Sequence, residues 1–115
     1  MSSPITTHVL DTATGRPARG ISARLEFSHD GAAWQELGQG ETNADGRIRD
    51  LLPEGTRLEA GIYRLTFHTA AYFRASGTPT FYPWVPIVFE LGQPEGHYHV
   101  PLLISPYGYS TYRGS

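Results

Sequence analysis

The stretch His97–Ser115, HYHVPLLISPYGYSTYRGS, decides the fold, because it joins a clear strand alternation to an aromatic chain end. Successive side chains of a β-strand point to opposite faces of its sheet. The alternation predicts that one face of the first half of the stretch points to the core and carries Tyr98, Val100, Leu102 and Ile104. The opposite face is expected to meet solvent and carries His97, His99, Pro101 and Leu103. Two histidines thus fall on a face that we expect to meet solvent.

The second half of the stretch predicts a hairpin followed by an ordered end. Pro106 fixes φ and Gly108 tolerates positive φ, so the segment SPYG at 105–108 indicates a turn. The segment YSTY at 109–112 then predicts a second strand. Chain ends are usually poorly ordered unless the fold holds them. Because tyrosine and β-branched residues continue almost to Ser115, we expect this end to be built into the domain.

The composition favours one β-rich domain over residues 1–115, a length that can bury a single core. Charged residues make up only 17% of the chain, while 13 glycines and 9 prolines suit short strands joined by tight turns. The absence of cysteine excludes disulfides, thiolate zinc sites and a thiol nucleophile. A net charge of −2 with scattered basic residues argues against nucleic acid or an anionic membrane as the main partner.

Targeting signals are not visible in the sequence. The segment MSSPITTHVLD at 1–11 lacks the basic and apolar regions of a signal peptide. No apolar stretch approaches the roughly 20 residues that a membrane helix needs. The final Arg-Gly-Ser is not of the Ser-Lys-Leu peroxisomal type. Cytoplasm is therefore the compartment that we expect.

Outward from the terminal stretch, alternation and turn residues predict one short helix at 70–76 and further strands at 5–11, 21–29, 34–42, 47–49, 61–69 and 85–91. Asp30–Gly31 and Asn43–Gly46 predict tight turns. Pro86 has no backbone N–H to donate to a neighbouring strand. The strand at 85–91 is therefore expected to lie at a sheet edge, or Pro86 to lie among its first residues. Turn signals at this spacing are typical of a sandwich. We therefore predict an all-β fold, a two-sheet antiparallel β-sandwich of about eight strands with one short α-helix.

Three histidines, His8 on the first strand and His97 and His99 on the terminal one, allow three interpretations. A His-x-His pair with a third histidine on another strand can bind zinc with an open coordination position. Without metal, His8 and His99 could exchange protons with a water, since imidazole titrates near neutral pH. Arg47, just after the Asp45–Gly46 turn, would then bind an anionic or carbonyl-rich substrate. The third interpretation is that all of them are solvated residues of a binding module.

Three segments carry a resemblance to a known family: ITTHVLDTATGRPA at 5–18, TNADGRIRDL at 42–51 and the terminal stretch. Together they resemble the 5-hydroxyisourate hydrolases, the enzyme branch of the transthyretin-like family. The segments span both ends and the middle, so the resemblance covers essentially the whole chain. The ending Tyr-Arg-Gly-Ser is the most specific piece, because it marks the hydrolases and is absent from the hormone-carrying transthyretins.

The resemblance implies a transthyretin-like sandwich that assembles as a homotetramer, a dimer of dimers, with active sites at the dimer–dimer interface. It implies His8, Arg47 and His99 as catalytic residues, and Tyr112, Arg113, Gly114 and Ser115 as substrate-binding residues. The implied reaction is hydrolysis of 5-hydroxyisourate to 2-oxo-4-hydroxy-4-carboxy-5-ureidoimidazoline in urate breakdown, with no cofactor and no metal. A binding module for a small aromatic ligand and a zinc-dependent hydrolase remain the alternatives, and the role of His97 stays open.

Overall fold

The computed structural model describes residues 3–115 as two β-sheets and one short helix. The first sheet contains β1 (Ile5–Asp11), β2 (Arg16–Pro17), β5 (Arg47–Ile48), β8 (Tyr98–Ser105) and β9 (Gly108–Thr111). The second contains β3 (Ser22–Ser28), β4 (Gln35–Glu41), β6 (Gly61–Phe67) and β7 (Val85–Leu91), and the helix α1 spans Thr69–Ala75. The predicted all-β sandwich with one short helix is confirmed.

The strand bounds agree closely with the sequence prediction. β1 and β7 have the predicted limits, and the hairpin between β8 and β9 turns through Pro106 and Tyr107. β7 lies at an edge of its sheet, as Pro86 predicts. The segment 12–20, which lies between the strands predicted at 5–11 and 21–29, also contains the two-residue strand β2, which pairs with the end of β1.

One ladder departs from the predicted antiparallel arrangement. β1 and β8 are parallel over seven residue pairs, from Ile5 opposite Tyr98 to Asp11 opposite Ile104, whereas the other strand pairs are antiparallel. Side-chain alternation is the same in both kinds of ladder, so it cannot indicate strand direction. The chain passes through the whole second sheet between β1 and β8, which gives the long connection that parallel strands require.

The buried apolar side chains of both sheets form one core. Val100, Leu102 and Ile104 on β8 are buried, as their alternation predicts, and they meet side chains of the second sheet such as Leu25 and Leu65. Pro101 is buried although it belongs to the face predicted to meet solvent. The reason is the chain end, because Gly114 packs close to the Pro101 ring.

Membrane-spanning helices are not found within residues 3–115, where no helix is long and apolar enough to cross a bilayer.

Candidate active site

The outer face of the first sheet brings the predicted site residues together. Thr6 on β1 lies directly opposite His99 on β8, and His8 lies directly opposite Arg47 on β5. Residues opposite one another in a ladder point to the same face, so these four side chains share one surface. His8 and His99 are diagonal neighbours across the parallel pair, a spacing that leaves room for a bridging water.

A cavity of about 380 Å³ opens on this surface. Its wall consists of polar or charged residues only: Thr6, Thr7, Arg47, Arg49, His97, His99 and Ser115. His8 does not line this cavity and lies beside it, next to Arg47 in the β1–β5 ladder. A cavity whose wall offers this many hydrogen-bonding groups suits a small polar ligand.

Arg47 is held in position by the turn that precedes it. The Asn43 side-chain oxygen accepts hydrogen bonds from the backbone N–H groups of Asp45 and Arg47, at 2.9 Å and 3.0 Å. The Asn43 N–H donates to the carbonyl of Arg47 at 2.9 Å. Gly46 is buried and adopts φ of +75°, the left-handed conformation that glycine tolerates best. The Arg47 side chain thus extends from a backbone whose N–H and carbonyl groups are both hydrogen-bonded to Asn43.

Gly114 fits against His99 only because it lacks a side chain. Its N–H donates to the carbonyl of His99 at 2.8 Å, which joins the chain end to β8. A Cβ at this position would lie 2.7 Å from Cδ2 of the His99 ring, closer than non-bonded carbons approach. Ser115 then follows in the cavity wall. The glycine of the terminal Tyr-Arg-Gly-Ser therefore allows the last residue to reach the site.

The other two residues of that tetrapeptide face a different region. Tyr112 and Arg113 line a neighbouring cavity of about 250 Å³, bounded by β7 and β8, whose wall also includes His99. The Arg113 guanidinium lies over the Tyr98 ring, 5.1 Å from its centre. Tyr112 is 59% exposed. Of the four predicted substrate-binding residues, only Ser115 lines the same cavity as Arg47.

Burial and the nearby Arg47 charge favour the neutral form of both candidate catalytic histidines. Burial, followed by the charge of Arg47, lowers the pKa of His99 below its ordinary value of 6.5, and His8 and His97 lower it further. Burial and Arg47 also lower the pKa of His8 below 6.5, against an opposing contribution from a hydrogen bond with the Asp45 backbone. A neutral imidazole can accept a proton, so both pKa shifts favour the form that a general base requires.

Thr6 and Arg49 are wall residues that the sequence analysis did not select. Thr6 Oγ1 is 2.9 Å from His97 Nε2 and 2.8 Å from His99 Nδ1, so it connects the two rings. Strand alternation puts Thr6 on the same face as His8 and Arg49 on the same face as Arg47, so the sequence did contain a signal for both residues. What alternation does not reveal is which strand lies alongside.

The zinc interpretation finds no ready-made site in the part of the chain that the structure describes. Within residues 3–115, no three side chains of the His, Cys, Asp or Glu type are arranged to hold a metal ion together. His97 and His99 share Thr6 as a partner. These three side chains are thus connected by hydrogen bonds in the described structure.

Comparison with known proteins places the sequence in a family. Residues 5–114 match the sequence model of the HIUase/Transthyretin family. The chain belongs to this family. The family match begins at the first residue of β1 and ends at Gly114, so it includes every strand described above.

Several curated family members are similar over nearly their whole length. The chain is 53% identical to a 5-hydroxyisourate hydrolase of Mesorhizobium japonicum, with 96% of this chain and 91% of that protein covered. It is 48% identical to 5-hydroxyisourate hydrolase 2 of Rhizobium meliloti (99% and 98% covered) and 46% identical to the 5-hydroxyisourate hydrolase of Mus musculus (99% and 97% covered).

Solved structures from both branches of the family have the same fold. A Klebsiella pneumoniae 5-hydroxyisourate hydrolase is 41% identical, with a TM-score of 0.82 and coverage of 98% of this chain and 100% of that one. Sea bream transthyretin in complex with thyroxine is 33% identical, with a TM-score of 0.87 and coverage of 96% and 94%. Backbone similarity alone therefore does not distinguish a hydrolase from a thyroxine-binding protein. The side chains of the cavity wall have to distinguish them.

Proposed function

We propose that the protein hydrolyses 5-hydroxyisourate to 2-oxo-4-hydroxy-4-carboxy-5-ureidoimidazoline in urate breakdown, by metal-free acid–base chemistry. The observation that carries this proposal is the cavity wall, which contains two arginines, two histidines and no apolar side chain. Such a wall suits a small substrate rich in carbonyl and N–H groups. The named relatives, 46–53% identical, support the same substrate.

In the proposed mechanism, His99 and His8 hold a water between them and His99 acts as the general base. Nδ1 of His99 is within hydrogen-bond distance of Thr6, so Nε2 is the ring nitrogen left to take a proton from the water. The resulting hydroxide attacks the lactam carbonyl carbon. The Arg47 guanidinium stabilises the negative charge that develops on the carbonyl oxygen.

Collapse of this intermediate breaks the ring C–N bond, and the carbonyl carbon becomes a carboxylic acid, which releases its remaining water-derived proton to solvent as the carboxylate forms. The departing nitrogen receives the proton that His99 took from the water, which returns His99 to its neutral form. Ser115, in the cavity wall, contacts the substrate ring. Tyr112 and Arg113 contribute from the neighbouring cavity, whose wall shares His99 with the first one, and Gly114 keeps the chain end close to His99.

A homotetramer with active sites at the dimer–dimer interface is part of this proposal. The edge strands β7 and β9 carry the exposed side chains Val88 and Tyr109, and Tyr107 in the β8–β9 turn is 68% exposed. Edge strands with exposed apolar side chains favour association with further strands or subunits. A second subunit over the outer face of the first sheet would close the cavity from solvent.

The oligomeric state is expected to follow from this closure. Size-exclusion chromatography with light scattering should give about four times the mass of the 12.7 kDa chain. Specific activity should fall when the tetramer is diluted until it dissociates, because each site would lose its cover. A monomer that retains full activity would contradict the proposed interface site.

The function itself is tested by the ultraviolet absorbance decay of 5-hydroxyisourate generated in place by urate oxidase. Addition of the protein should accelerate the decay, and EDTA should leave the acceleration unchanged, because the proposed base and oxyanion donor are side chains. Loss of activity on chelation, with recovery on adding zinc, would instead support the zinc-dependent hydrolase.

A carrier of a small aromatic ligand is the second candidate, and the similarity to transthyretin in complex with thyroxine favours it. Apolar ligands need mostly apolar walls, which the cavity beside Arg47 lacks. The absence of any acceleration in the absorbance assay, together with saturable binding of an aromatic ligand, would support the carrier over the hydrolase.

A further inference from the structure

One hydroxyl group connects the two histidines of the terminal strand. Thr6 Oγ1 lies 2.9 Å from His97 Nε2 and 2.8 Å from His99 Nδ1, and Thr6 itself is only 5% exposed. A threonine hydroxyl has one proton to donate and accepts through its lone pairs. It therefore cannot donate to both rings, and one of the two imidazoles must donate its own N–H to the threonine oxygen.

This proton count links the tautomers of the two rings. If Thr6 donates to His99, then His99 carries its proton on Nε2 and His97 donates from Nε2. If Thr6 donates to His97, then His99 donates from Nδ1 and keeps Nε2 as an acceptor. Only the second arrangement leaves a lone pair on Nε2 of His99, the nitrogen that does not face Thr6.

We propose that Thr6 is a positioning residue that holds His99 in the Nδ1–H tautomer, and that His97 fixes the direction of the Thr6 hydroxyl. The proposal rests on the hydrolysis proposed above, in which Nε2 of His99 takes the proton of the attacking water. It gives His97 a role that does not require contact with the substrate. His97 is exposed, so its ring can exchange protons with solvent while it accepts the hydrogen bond of Thr6.

The same chain can spread the positive charge that forms on His99 during the reaction. While both His99 nitrogens are protonated, the Nδ1 proton can move to Thr6 Oγ1 as the Thr6 proton moves to His97 Nε2. One N–H bond and one O–H bond break, and one N–H bond and one O–H bond form. The positive charge can therefore rest on either imidazole ring. Both transfers reverse when His99 gives its Nε2 proton to the departing nitrogen.

Thr6→Val tests the proposal, because valine keeps the shape of threonine and removes the hydroxyl. We expect kcat to fall by about 10- to 100-fold, by analogy with the loss of partners that orient metal-bound imidazoles, with KM changed less than about threefold. Thr6→Ser should restore kcat. Thr12→Val is the matched control, since it removes a threonine hydroxyl that donates to the Ile104 carbonyl at 3.0 Å, away from the cavity.

A spectroscopic readout separates positioning from mere structural support. Long-range ¹H–¹⁵N correlation spectra of ¹⁵N-histidine-labelled protein above pH 7 should show His99 as the Nδ1–H tautomer in the parent and in Thr6→Ser. In Thr6→Val the spectrum should shift toward Nε2–H, the tautomer that free imidazole side chains favour in water. An unchanged tautomer and an unchanged kcat in Thr6→Val would overturn the proposal.

His97→Ala provides a second test if Thr6→Val fails to fold, because residue 97 is exposed. Without its acceptor, the Thr6 hydroxyl becomes free to donate to His99, so the His99 tautomer should change and kcat should fall about tenfold. His97→Gln, which restores an acceptor oxygen, should recover both. The spectra need no substrate, so a parent protein that fails to hydrolyse 5-hydroxyisourate would refute the proposed function while the tautomer test still stands.

Discussion

Replacement of His99 by Gln is expected to lower kcat for 5-hydroxyisourate hydrolysis by about 10²–10⁴-fold, the range typical for loss of a general base. Glutamine fills a similar volume next to Gly114 and can still hydrogen-bond to Thr6, so the fold should remain intact. The loss should appear in kcat more than in KM, because the proposed proton transfer occurs in the transition state and not on binding.

The pH profile of the parent enzyme supplies a second measure of the same role. Since burial and Arg47 lower the pKa of His99, the neutral base persists below the ordinary value of 6.5. We expect kcat/KM to stay level as the pH falls to about 6.5 and to decline only at lower pH, as the ring becomes protonated. In His99→Gln this acid limb should disappear from the residual activity unless His8 replaces the base.

His68→Gln is the matched control for His99→Gln, because His68 is an exposed histidine just before α1 in the other half of the fold. It should retain the parent kcat and the parent pH profile. If His99→Gln kept more than a third of the parent kcat, His99 would not be the base. A large loss in His8→Gln alone would then assign that role to His8.

Gly46→Ala is expected to lower the free energy of unfolding by about 2–5 kcal/mol, combining the cost of a left-handed alanine with that of overpacking. Its Cβ would lie 2.5 Å from the carbonyl oxygen of Val9 on β1 and 3.0 Å from Cβ of Pro17 on β2. Relief of this clash would move the turn away from β1. Arg47 is the next residue, so activity should fall together with stability.

Gly15→Ala is a matched control for this substitution. Gly15 has φ of +74°, almost the same as the +75° of Gly46, but a Cβ there would meet nothing within 4 Å. Only the conformational cost of about 1–2 kcal/mol should therefore appear. Urea denaturation of both variants at one fixed protein concentration measures the difference. Equal destabilisation would show that the close approach of Gly46 to Val9 contributes nothing.

Much of the fold follows from local patterns in the sequence. Alternation with flanking turn residues predicted the limits of β1 and β7, and the inward direction of Val100, Leu102 and Ile104. Direction of pairing is a tertiary property that no local pattern contains, so the parallel β1–β8 ladder could not be foreseen. The two-residue strand β2 escaped prediction for a related reason, because its pairing with β1 is too short to impose a pattern.

The candidate site was only partly accessible from the sequence. Alternation put His99 on the face expected to meet solvent, imidazole and guanidinium chemistry made His8, His99 and Arg47 candidates, and the family resemblance implied all three as catalytic residues. The contact of Thr6 with His97 and His99 depends on the register of two strands more than 90 residues apart in sequence. Burial of Pro101 likewise required knowledge that the chain end returns over β8. Both features arise from packing between distant segments, which single-strand patterns do not describe.

The parallel β1–β8 ladder has a consequence for how the protein acquires its site. Its partners are separated by 93 residues, as in Ile5 and Tyr98, so the contact is among the least local that the chain can make. Non-local contacts form late, because the entropy of closing a long loop is lost before they contribute stability. During synthesis β1 therefore waits without its β8 neighbour until residues 98–105 have been translated. Thr6 and His8 meet His99 only then, so the candidate active site should assemble later than the local hairpins of the fold.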